Sequence, residues 1–149
     1  MTGENCSYVS PFNDICDRSR ELPVLNYCVP GYFDNYSTTS SGDGGNMSCG
    51  DSGAEKDIWC QFEHLDVDTI YLTLQATGVI SDLVVEIYSG SCNSLTSIDC
   101  GFSSNEDPIS FLFKDPALVN ETLYIRVVED GSDEEGEFTI CLYSEEFAC

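Results

Sequence analysis

The chain has 149 residues, enough for one hydrophobic core that buries roughly two-thirds of the surface its unfolded form would expose. Its 27 acidic residues against 5 basic ones give a formal net charge of −22, which repels phosphate backbones and anionic lipid and so excludes nucleic acid and membrane surfaces as partners. Nine cysteines against two methionines point to an oxidising location, outside the cell or on its surface, because paired thiols persist only there.

No run approaches the length of about 20 apolar residues needed to cross a bilayer, so no membrane insertion is expected. The N-terminal stretch also lacks the basic-then-apolar pattern of an export signal, which is expected to have been removed or left out. Residues 1–12 have no periodicity and read as an N-terminal arm or linker, while residues 13–149 read as a single β-sandwich domain. Within it, residues of about 32–53 are rich in Ser, Thr, Gly, Asn and Asp, have little to bury, and read as a long polar loop pinned by cysteines.

From residue 57 onward the apolar spacing is two, which sends alternate side chains to opposite faces of a strand. Ile70, Leu72, Leu74 and Ala76 form one apolar face, opposite Tyr71, Thr73 and Gln75. The alternation recurs in Leu83, Val85 and Ile87, then in Ile109, Phe111 and Phe113, in Leu123, Ile125 and Val127, and in Phe138, Ile140 and Leu142. Strands are also expected at 58–62 and 97–100. Turn-forming residues separate the runs, among them the Ser89-Gly90-Ser91 turn, Asp115-Pro116 and the acidic stretch from Asp130 to Gly136. The expected fold is all-β, a disulfide-stapled antiparallel β-sandwich or jelly roll of about seven to nine strands.

Several local patterns, in order, resemble the bacterial pre-peptidase C-terminal domain, an accessory module of secreted proteins. Asn13-Asp14-Ile15-Cys16 resembles its opening motif, and Asp57-Ile58-Trp59-Cys60-Gln61-Phe62 its Asp-Val-Trp-Tyr-x-Phe strand. The segment from Ser81 to Cys92 resembles its aspartate, strand and Tyr-x-Gly-x-Cys turn, while Leu123 to Val127 and Gly136 to Ile140 resemble its closing hairpin. The resemblance implies a β-sandwich with an accessory role, in a family some of whose members bind calcium, carbohydrate or fibrous protein. Cys60 stands where that family has an aromatic residue, and Gly101-Phe102-Ser103-Ser104 replaces its acidic pair.

Cys92 and Cys100 flank a short segment between two strands and are expected to pair; Cys16 and Cys49, either side of the polar loop and at matching family positions, form the second expected bridge. Parity places Cys60 with Ile58 and Phe62 but Cys141 opposite Ile140 and Leu142, which disfavours a Cys60–Cys141 bond. Nine is odd, and three assignments stand for the remainder. Either Cys6 or Cys149, near the ends, links subunits, or Cys60 is a buried thiol acting as a small hydrophobe, or one cysteine had its partner in a removed segment.

Asn5, Asn35, Asn46 and Asn120 each begin an Asn-x-Ser/Thr sequon, more than this composition gives by chance, and are the candidate glycosylation sites in a host that has the machinery. Glu129, Asp130, Asp133, Glu134 and Glu135 crowd one hairpin. They form either a solvated acidic turn or a calcium site that would relieve their repulsion, with no cofactor otherwise required.

His64 is the only histidine, follows a strand without a Ser or Cys elbow motif, and is expected at the surface. No paired-His metal motif or phosphate-binding loop occurs, so no enzymatic activity is expected. The leading functional expectation is an extracellular structural or adhesive module that self-associates into a surface filament or array. The alternative is a carbohydrate- or calcium-dependent binding module accessory to a secreted enzyme, with Trp59, Tyr71, Tyr88, Tyr124 and Tyr143 as aromatic candidates. The expected partner is thus a second copy, or an extracellular glycan or protein.

Overall fold

The computed structural model describes residues 15–34, 45, 47–50, 57–77, 82–103, 107–129 and 136–146. Within them lie β1 (Arg20–Glu21), β2 (Gly31–Asp34), β3 (Ile58–Glu63), β4 (Ile70–Ala76), β5 (Leu83–Ser91), β6 (Ser94–Phe102), β7 (Ile109–Phe113), β8 (Thr122–Glu129) and β9 (Glu137–Tyr143). They form a five-stranded sheet in the order β1-β3-β8-β5-β6 and a four-stranded sheet in the order β2-β9-β4-β7. All pairings are antiparallel except β1 with β3.

The expected aliphatic faces close on one another. Ile58, Phe62, Leu83, Val85, Ile87, Leu123, Ile125 and Val127 from one sheet meet Ile70, Leu72, Leu74, Phe111, Phe138 and Ile140 from the other in one continuous core. Each such aliphatic contributes about 1.5–3 kcal/mol by leaving water. Cys60 is fully buried in this cluster, where parity placed it, and Cys141 is not part of it.

Two elements differ from the sequence expectation. β6 runs from Ser94 to Phe102 rather than over 97–100, and pairs with β5 through a turn at Cys92-Asn93, so Ser89-Gly90-Ser91 belongs to the strand and not to the turn. Its side chains are largely exposed, so no apolar alternation marks it. Gly90, at φ +96, is required there because a Cβ would sit 2.4 Å from the Ser94 carbonyl oxygen. Secondly, β2 falls at the start of the segment read as polar loop; only Phe33 of its four residues is buried, too little to show a period. The N-terminal arm 1–12 lies outside the described residues.

Candidate functional site

The two outer faces of the sandwich differ in chemistry. On the five-stranded sheet, alternation sends Trp59 of β3, Glu86 and Tyr88 of β5 and Arg126 of β8 outward, and the register sets Arg126 between Trp59 and Glu86. These side chains are nevertheless buried, and they are joined. The Arg126 Nε donates to Asp57 Oδ2 at 3.0 Å, an ion pair with both partners fully out of solvent. Arg126 Nη1 donates to the Tyr88 hydroxyl at 3.0 Å, which donates to Glu86 Oε1 at 3.1 Å. Trp59 Nε1 donates to Asp57 at 3.1 Å, its ring stacks on Tyr88 at 5.6 Å, and the guanidinium lies over it at 5.4 Å. Burial raises the Glu86 pKa, but donors from the Ser48 and Ser97 hydroxyls, the Ser48 N–H and Tyr88 outweigh it and hold the carboxyl below its ordinary 4.5. Burial, only partly offset by Arg126, pushes the Tyr88 phenol up to about 12.

Segment 47–50 covers this face at Glu86, and Cys16 and Cys92 pack on Trp59 and Tyr88. Met47 packs on Val84 and Val128, and Ser48 gives Glu86 both its N–H and its hydroxyl. Gly50 adopts φ +75 and lies so close that a Cβ would meet Val84 Cγ2 at 2.7 Å. Two bridges fix the cover, and they correct the expected pairing: Cys16 bonds Cys92 and Cys49 bonds Cys100, where Cys92–Cys100 and Cys16–Cys49 were expected. Cys92 sits in the hairpin turn, whereas Cys100 lies opposite Glu86 far along β6. Six or more residues at about 3.3 Å each separate them, well beyond disulfide reach. A third bridge joins Cys28 to Cys141. Chemically this face is a buried clamp, in which the Asp57 carboxylate holds Arg126 and the Glu86 carboxylate holds segment 47–50.

The outer face of the four-stranded sheet is uncharged across its centre among the described residues, with Tyr32, Gln75 and Ser110 exposed, Tyr71, Thr73, Thr139 and Tyr143 half-buried, and Cys141 buried where it bonds Cys28. Register aligns Tyr32 with Thr139 and Thr139 with Gln75, then Thr73 with Cys141 and Ser110, and Tyr71 with Tyr143 and Leu112. The Tyr71 and Tyr143 rings stack at 5.1 Å, and Thr73 and Ser110 share a hydrogen bond of 3.2 Å. Tyr32 is 71% exposed, and Tyr27 and Val29, also exposed, flank the Cys28 that bonds Cys141 on this face. Charge returns only at the margins, with Asp34 beside Glu137 at one end and Lys114 beyond Leu112 at the other.

Of the aromatic candidates, Trp59 and Tyr88 are buried in the clamp, Tyr124 packs half-buried against them, and Tyr71 and Tyr143, also half-buried, lie on the opposite face. Tyr32 was missed as a candidate because it is outward only once β2 is seen to pair, and Gln75, outward by the β4 alternation, because nothing local sets it near a tyrosine. His64 corrects the surface expectation. It is fully buried, its N–H bound to Glu121 O and its carbonyl to Asn120 N, joining the β3 exit to the β8 entrance. Asn120 is exposed, in that turn, at φ 70. Asn5, Asn35 and Asn46, Cys6 and Cys149, and Asp130, Asp133, Glu134 and Glu135 lie outside the described residues. Glu129 is buried at the end of β8, and no group of three or more metal-ligating side chains occurs among the described residues. Two clefts open elsewhere, one of about 380 Å³ between Leu22, Val24 and Phe62 and one of about 280 Å³ between Ile98, Asp99 and Leu118.

No family model and no curated protein matches the chain. Among solved structures it is similar to CorA, a surface-associated copper-binding protein of Methylomicrobium album BG8, at TM-score 0.54 and 10% identity over 86% of this chain and 98% of that one. It is also similar to the pre-peptidase C-terminal domain of a Bacillus anthracis collagenase, at TM-score 0.44 and 12% identity over 83% and 93%, and to the Yersinia pseudotuberculosis-derived mitogen, at TM-score 0.44 and 13% identity over 81% and 92%. At these identities the likeness is one of fold, the β-sandwich.

Proposed function

We propose that the chain is a non-catalytic extracellular adhesive or binding module, of the kind the pre-peptidase C-terminal domains represent, and that it works through the outer face of its four-stranded sheet. One observation carries the reading: in a chain of net charge −22, the described residues leave one face neutral and set with tyrosines, Tyr32 exposed and Tyr71 and Tyr143 half-buried. Three disulfides accord with work outside the cell. Labelled protein applied to the extracellular material of its source cells should bind saturably, and Tyr32→Ala with Gln75→Ala should abolish the binding. Equal retention of wild type and double variant would remove the reading.

Assembly of copies through β6 is a second reading, favoured by a nine-residue edge bearing Phe102, 61% exposed, and Ile98. The same edge carries a bulge at Ile98 and turns Asp99, opposite Ile87, toward the inner face, two devices that blunt edge pairing. Sedimentation at high concentration checks it, with Phe102→Asp abolishing any oligomer that β6 forms. Calcium belongs to this proposal only through Glu129, Asp130, Asp133, Glu134 and Glu135, and calorimetric titration with calcium chloride decides it.

A further inference from the structure

Resting on that reading of the four-stranded face, we infer that its ligand is an electrically neutral oligosaccharide, bound across Tyr32, Gln75, Thr73, Tyr71 and Tyr143. Charge comes first. With 27 acidic side chains the field around the molecule is strongly negative, and acidic polysaccharide, nucleic acid and anionic lipid are repelled. A cationic partner would be drawn to the acidic margins, where Asp34 and Glu137 lie side by side, rather than to the uncharged centre.

The composition of the face then separates a sugar from an apolar protein patch. Tyr71 stacks beside Tyr143, and Tyr32 stands exposed across β9; between them lie the hydroxyl and amide groups of Thr73, Ser110, Thr139 and Gln75, and the Cys28–Cys141 disulfide. Rings that take up the C–H face of a pyranose, alternating with small donors and acceptors for its hydroxyls, match a neutral sugar on both counts. An apolar protein surface would leave those donors and acceptors desolvated and unmatched. Four strands at about 4.8 Å spacing, and five residues of β4 at about 3.4 Å each, make the platform about 14 Å square, room for a short run of sugar rings. Nothing in the set requires a cation.

The test is electrophoresis of the full chain through gels containing a neutral polysaccharide (xyloglucan, glucomannan, hydroxyethylcellulose or a soluble chitin derivative) or an acidic one (alginate, polygalacturonate), with EDTA throughout. At least one neutral polymer should retard it and neither acidic polymer should. Tyr32→Ala and Gln75→Ala, both at exposed positions, should each weaken retardation about tenfold, and Tyr143→Phe, which keeps the ring, should weaken it less than Tyr143→Ala. Unchanged thermal unfolding of the exposed variants separates loss of binding from loss of fold. Retardation by no neutral polymer, retardation only by acidic polymers, or equal retardation of wild type and variants overturns the inference. Competition in the cell-surface assay tells the two failures apart. Binding that the variants lose but no neutral polysaccharide displaces leaves the face as a docking site for a protein and removes the sugar; binding that the variants keep removes the face.

Discussion

The two outer faces of this sandwich have solved opposite problems with the same strand period. On the five-stranded sheet the outward positions hold Trp59, Glu86, Tyr88 and Arg126, joined to one another and buried, with segment 47–50 on Glu86 and the Cys16–Cys92 bridge on Trp59 and Tyr88. On the four-stranded sheet they hold Tyr32 and Gln75, exposed, and Thr73, Tyr71 and Tyr143, half-buried, all neutral. The difference teaches that, in an acidic chain, charge is no guide to which surface is exposed: the tightest polar cluster holds the cover in place, while the neutral face is the one proposed to bind. Stability and binding are therefore expected to separate by face.

The largest break in that comparison is Arg126→Met. It strips the buried Asp57 carboxylate of its guanidinium and should cost about 3–5 kcal/mol in urea unfolding. Replacing Cys49 and Cys100 together by Ser releases a link across 51 residues and should cost about 2–4 kcal/mol, with Ser48 lifting from Glu86 as faster amide exchange over 47–50. Gly50→Ala keeps the bridge but forces a Cβ into Val84 from a left-handed backbone, and should cost about 1–3 kcal/mol.

Outward strand positions explain how far the sequence could be read. Period two in Leu83, Val85 and Ile87, or Ile70, Leu72 and Leu74, fixes which face is inner, and the core follows it. The same parity marks Glu86 and Arg126 as outward, and a polar outward residue reads as solvent-facing. Its burial depends on a cover supplied from 38 residues away in Ser48 and a partner 69 residues away in Asp57, which no local pattern carries. The cysteines show the same limit. Cys16, Cys49, Cys92 and Cys100 were legible as bridge formers, but Cys92 and Cys100 appear adjacent only while β6 is taken as a short strand; once the hairpin extends, they part. The tyrosine face was half legible, because Tyr71 alternates visibly while Tyr32 sits in a four-residue strand inside a polar stretch.

Two smaller effects sharpen the contrast. Glu86, with its folded pKa held below the ordinary 4.5, binds its proton more readily when the chain is unfolded. Its stabilisation is present above that ordinary value and is lost as pH falls through the lower folded one. Unfolding titrations of Glu86→Gln against wild type should therefore diverge at neutral pH and converge in acid. Smallest of all is Gln75→Ala, at an exposed site of the neutral face, which should change stability by less than about 0.5 kcal/mol while weakening binding about tenfold.

The division of labour between the faces is tested most directly by mapping backbone amide shifts in the NMR spectrum of the full chain as oligosaccharides of a retarding neutral polysaccharide are added. Shifts confined to β2, β4, β7 and β9, centred on Tyr32, Gln75 and Tyr143, are the predicted result. Shifts gathered instead on 47–50, β5 and β6 would place the working surface over the clamp and contradict it.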